Sequence, residues 1–86
     1  RTIQLLVSDL AYSDYSNLAG KLRNIRSVTY VFPREWGKGV PAVYDIKTTA
    51  TEDDITARFE EIGLEVLKFK MNKIEVKKVK KGWWKK

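Results

Sequence analysis

Apolar and polar positions alternate with two different periods along this chain, and each change of period marks an expected element. From Thr2 to Leu10 the sequence reads TIQLLVSDL, with Ile3, Leu5 and Val7 on one parity and Gln4, Leu6 and Ser8 on the other. A run this rich in apolar residues on both parities suits a central strand. Ser13 or Asp14 can cap the helix that follows, and Tyr15, Leu18, Leu22 and Ile25 recur at helical spacing as its buried stripe. Gly20 either weakens that helix by about 1 kcal/mol relative to alanine or permits close packing on a sheet. Ser27 to Phe32 predicts a second strand, which Pro33 ends or confines to an edge. Arg34 to Gly39 is a turn-rich connection whose two glycines permit positive φ, and Val40 to Thr48 returns as the second arm of a hairpin. Thr51 is a good N-cap, with Asp54 three residues later in an approximate capping box. Glu52, Asp53 and Asp54 complement the helix dipole. Ile55, Phe59 and Ile62 form the next buried stripe, and Gly63 stands where a left-handed C-terminal residue belongs. From Leu64 to Val79 the pattern is strand-like but changes phase. Leu67, Phe69 and Met71 share one parity and Ile74 and Val76 the other, so a turn or bulge is expected at Asn72-Lys73.

The element order is β, α, β, β, α, β. Two interleaved right-handed β-α-β units of this kind predict an α+β ferredoxin-like plait, a four-stranded antiparallel sheet with both helices on one face. Parity assigns Ile3/Leu5/Val7, Val28/Tyr30/Phe32 and Ala42/Tyr44/Ile46 to the helix-covered side. The open face is then expected to carry Gln4, Leu6, Ser8, Thr29, Val31, Val43, Asp45 and Lys47, with no aromatic ring. Leu6, Val31 and Val43 make a modest docking patch there, or are covered by the chain's own tail or a neighbouring domain.

Composition narrows the chemistry. The 86 residues form one domain over 1–79 and a basic tail over 80–86. With no Cys and no His, thiolate and imidazole metal ligands, disulfides, Cys nucleophiles and His-based acid/base schemes are excluded. The net charge of +6 is unevenly placed: residues 1–67 hold 8 Lys/Arg and 10 Asp/Glu, whereas residues 68–86 hold 9 Lys and Glu75 alone. Segregated charge of this size steers an anionic partner or protects an edge strand from aggregation. No apolar run reaches the roughly 18 residues that span a membrane. The opening at Arg1, without initiator Met or signal-like region, points to a domain of a longer protein or to a mature segment. Bacterial envelope and cytoplasm both remain open as its location.

Three families of related architecture share short motifs with the chain. Leu5-Leu6-Val7-Ser8-Asp9-Leu10, Lys38-Gly39-Val40-Pro41-Ala42-Val43 and Asn72-Lys73-Ile74-Glu75-Val76 resemble signatures of the RNA-recognition motif. Leu6, Val40 and Ala42 stand where that family stacks bases on aromatic rings. Ile25-x-x-Val28-x-Tyr30 and Gly63-Leu64-Glu65-Val66 resemble the heavy-metal-associated domain, but Tyr12 and Tyr15 occupy its two Cys positions. Phenols do not replace thiolates for soft metals. Asp9-Leu10-x-Tyr12-Ser13-x-Tyr15-x-x-Leu18, Leu22-Arg23-x-Ile25-x-Ser27-Val28 and the same two C-terminal motifs resemble small plait modules of bacterial envelope and flagellar assembly proteins. This resemblance covers nearly the whole domain and implies a non-catalytic module that contacts other proteins.

Candidate binding residues follow from these patterns. Lys80, Lys81, Lys85 and Lys86 around Trp83 and Trp84 suit a protein interface, a nucleic acid through stacking and phosphate contacts, or an anionic membrane surface. The same tail can equally cover its own sheet. Trp36, expected at a hairpin tip between Arg34 and Lys38, is a hot-spot candidate or folds back on the hairpin. No catalytic residue, metal site, cofactor or small-molecule substrate is indicated, since Glu52–Asp54 are explained by capping and Asp45 has no partner at defined spacing. The expectation is a non-enzymatic protein-binding or assembly module of a larger bacterial protein. The alternative is a nucleic-acid-binding domain that uses the basic Lys/Trp tail.

Overall fold

In a computed structural model, which describes residues 2–8 and 10–78, the chain runs β1 (Thr2–Ser8), α1 (Tyr12–Arg23), β2 (Val28–Gly37), β3 (Val40–Thr48), α2 (Glu52–Glu61), β4 (Leu64–Lys70) and β5 (Lys73–Lys78). The helices follow their stripes. Leu18, Ala19 and Leu22 of α1 and Ile55 and Phe59 of α2 are buried. Thr51 caps α2, its hydroxyl accepting from the Asp54 amide at 3.3 Å. Gly63 beyond the helix adopts φ +94°, the left-handed conformation that glycine reaches without steric cost. Helix α1 departs from expectation. It begins at Tyr12, with Ala11 at the cap and no side-chain cap bond, so neither Ser13 nor Asp14 caps it. Asp14 sits inside the first turn and receives Lys78 Nζ at 3.2 Å, tying the helix to the end of β5.

The sheet is α+β in class, as expected, but has five strands in the order β2-β3-β1-β5-β4. The four-stranded antiparallel plait is thereby corrected. The phase change after Lys70 is a hairpin turn at Met71-Asn72, with Met71 at φ +37°, and it reverses the chain. The returning segment β5 is inserted between β1 and β4, antiparallel to β4 and parallel to β1. The insertion buries Ile74 and Val76 beside Leu5 and Val7, their partners in register. Strand β4 is displaced to the edge.

Ile3, Leu5, Val7, Ala42, Tyr44, Ile46, Ile74 and Val76 form the sheet's half of the core, under both helices. Tyr44 is fully buried, and its hydroxyl donates to the Tyr15 carbonyl at 2.7 Å. Burial, then the neighbouring Tyr15 and Asp14, push the Tyr44 hydroxyl well above the usual phenol range. Buried Thr48 is satisfied as well: its hydroxyl donates to the Ser27 carbonyl at 2.9 Å and accepts from the Ala50 amide at 3.0 Å.

Both edge strands are bulged. The β2–β3 register shifts between Val28 and Tyr30 and again between Pro33 and Glu35, and the β4–β5 register shifts between Val66 and Lys68. A single extra residue moves every later side chain to the other face. Thr29 is such a residue. Val28 lies on the covered side, and Tyr30 and Phe32 do not follow it there. They are 52% and 44% exposed, whereas Val31 is 3% exposed and joins the core. The expected faces of these three residues are therefore exchanged.

Candidate functional site: the open sheet face

The face away from the helices can be followed row by row, because residues paired in register share a face. One row crosses the whole sheet: Phe32, Asp45, Gln4, Lys73 and Lys70. At about 4.8 Å per strand it spans roughly 19 Å. Tyr30, Lys47 and Thr2 make the row beside it. The next row carries Glu35, Val43, Leu6, Glu75 and Lys68. Leu6 and Val43 are half-buried partners at its centre, the part of the expected apolar patch that the sheet brings together.

Tyr30 and Phe32 are parallel, with ring centroids 6.2 Å apart and planes 9° apart. The Arg34 guanidinium lies over the Phe32 ring at 5.8 Å from its centroid, and Arg34 Nε is 3.6 Å from the Asp45 carboxylate. Tyr30, Phe32 and Arg34 thus form a column two residues apart along β2, with Asp45 holding its cationic end. A depression of about 210 Å³ lies against the column, lined by Thr2, Tyr30, Phe32, Asp45 and Lys47. It runs into a wider one of about 760 Å³ that shares Thr2 and Asp45 and reaches Lys70 and Lys73.

The remaining candidates lie elsewhere. Trp36 is placed not at the hairpin tip but on β2, two residues before the Lys38-Gly39 turn. It is half-buried against the core on the covered side, with Nε1 donating to the Leu10 carbonyl at 2.7 Å. Tyr12, 61% exposed, meets its ring edge-on at 5.2 Å. Lys38 is exposed in the turn. Lys80, Lys81, Trp83, Trp84, Lys85 and Lys86 lie outside the described residues. Sequence reasoning missed Tyr30 and Phe32 as open-face residues. With apolar side chains on both parities of Val28–Phe32, strand period alone does not say which face is which, and the bulge at Thr29 leaves no mark in composition.

The free edge of β2 is poorly suited to receive another strand. The Arg23 guanidinium donates to the Val31 carbonyl at 3.4 Å, Pro33 has no amide hydrogen, and bulges interrupt the strand at both ends. Among the described residues, no group of three His, Cys, Asp or Glu is arranged to hold a metal ion, and no helix is long and apolar enough to cross a membrane. Comparison with protein-family models, curated proteins and solved structures gives no match.

Proposed function

We propose that this domain is a non-catalytic docking module that contacts a protein partner or a neighbouring domain of a larger protein through its open sheet face. The observation that carries this reading is the column of Tyr30, Phe32 and Arg34. Two large rings stay half-exposed and nearly parallel on a face that no helix covers, beside an Arg34 that is paired with Asp45. Aromatic side chains and arginine are enriched among the residues that dominate binding energy at protein interfaces. Leu6 and Val43 extend the surface toward the centre of the sheet. The absence of Cys and His from the chain and the lack of a pairing partner for catalysis near Asp45, which is engaged by Arg34, also favour binding over turnover.

A photo-crosslinking residue at Phe32 tests the proposal in cells that express the parent protein. Capture of one defined partner from Phe32, and none from exposed Asn17 on α1 or Arg58 on α2, is the expected result. Capture from the helix positions alone would contradict it.

A further inference from the structure

We infer that the segment received by the open face is acidic and extended, and that it lies across the strands from Tyr30 and Phe32 toward Lys70 and Lys73. This rests on the docking reading above and adds the chemistry of the partner.

Charge is the first argument. The two depressions are lined by Lys47, Lys70 and Lys73 and by two acids, Glu75 and Asp45, the second engaged by Arg34. Helix α2, on the other side of the sheet, carries Glu52, Asp53, Asp54, Glu60 and Glu61 against Arg58. Along this track lysines outnumber acids, the reverse of α2, and a complementary segment is acidic.

Ring orientation is the second. Phe32 lies nearly parallel to Tyr30, with centroids 6.2 Å apart, and has the Arg34 guanidinium 5.8 Å from its centroid. Ring edges, the positive part of the quadrupole, favour carboxylate and carbonyl oxygens. The column thus suits the oxygens of an acidic peptide.

Shape is the third. The contiguous depressions from Phe32 to Lys70 form a shallow track across the strands. The β2 edge, with its Val31 carbonyl taken by Arg23 and no donor at Pro33, does not compete for the same segment by strand addition.

The test uses the full 86-residue chain. Peptides are selected on it from a random-peptide display library, and the tightest are titrated into the ¹⁵N-labelled protein. Oligothymidylate is titrated in parallel. The expected peptides are enriched in Asp and Glu over Lys and Arg, bind more weakly as ionic strength rises, and shift amides around Tyr30, Phe32, Lys47, Lys70 and Lys73. Charge reversal in K70E/K73E weakens them about tenfold or more, and Y30T/F32T weakens them comparably. The charge-reversed variant, altered only at exposed positions, decides the matter if the aromatic variant does not fold. Neutral or basic peptides that shift open-face amides would overturn the acidic partner and leave the docking reading standing. Shifts confined to the helices would overturn both. Shifts confined to residues 79–86, or oligothymidylate binding the same face more tightly than any selected peptide, would overturn the inference.

Discussion

The two sides of β1 start from similar residues and meet opposite surroundings. Ile3, Leu5 and Val7 are buried under the helices, while Gln4, Leu6 and Ser8 stay half-buried on the open face. Leu5 and Leu6 are the sharpest pair, two leucines one residue apart with the same propensities. Leu5 is paired with Tyr44 and Ile74 on the core side. Leu6 is paired with Val43 and Glu75 in a thin layer open to water. The covered face spends its apolar residues on packing, and the open face leaves its largest ones, Tyr30 and Phe32, in contact with solvent. The two stacked rings lie on that face because a bulge of one residue decides their side.

The largest expected break of this contrast is Leu5→Ala, which should lower unfolding free energy by about 2–5 kcal/mol through a core cavity. Leu6→Ala should cost about 1 kcal/mol or less, since little surface is withdrawn from water there. Urea unfolding of the two variants measures the difference directly, and equal losses would mean that the faces are not distinct. Tyr44→Phe removes the hydroxyl that donates to Tyr15 and should cost about 1 kcal/mol at neutral pH. Its pH dependence is more informative. The buried hydroxyl titrates above its unfolded value of about 10, so its contribution is full below about pH 10 and is lost as pH rises beyond that. The gap between wild type and Tyr44→Phe should therefore narrow in alkaline solution, as read from unfolding curves on either side of that pH. A smaller and opposite effect is expected at Gly20, in the interior of α1. A Cβ there would meet nothing within 4 Å, so Gly20→Ala should raise stability by about 0.5–1 kcal/mol, visible as a higher Tm. The smallest effect on stability belongs to the open face. Y30T/F32T keeps β-branched residues in β2 and should change unfolding free energy by about 1 kcal/mol or less, while abolishing partner capture.

Much of the architecture was legible in the chain, because amphipathic period and capping are local. Thr51, the Ile55/Phe59 stripe and Gly63 mark α2, and Val40–Thr48 is a strand with the bounds that its alternation predicts. Pro33 marks β2 as an edge strand. What was not legible depends on pairing. The phase change after Lys70 signals a break, but only the register of β5 beside β1 shows that the broken piece forms a fifth, parallel strand. Similarly, Val28, Tyr30 and Phe32 share a parity, yet Thr29 has no counterpart on β3 and rotates the rings to the opposite face from Val28. The candidate site was therefore legible only in fragments. Leu6, Val43 and Arg34 fall on the open face, while Trp36 and Val31 fall on the covered one. The two rings at its centre were assigned to the core until the bulge placed them outside.

Solvent paramagnetic relaxation at the side chains of Tyr30, Val31 and Phe32 tests the central claim most directly. A soluble paramagnetic probe should broaden the Tyr30 and Phe32 ring signals strongly and leave the Val31 methyls nearly untouched. Strong broadening of Val31 with protected rings would restore an unbulged β2, return the rings to the core and remove the basis of the proposed docking surface.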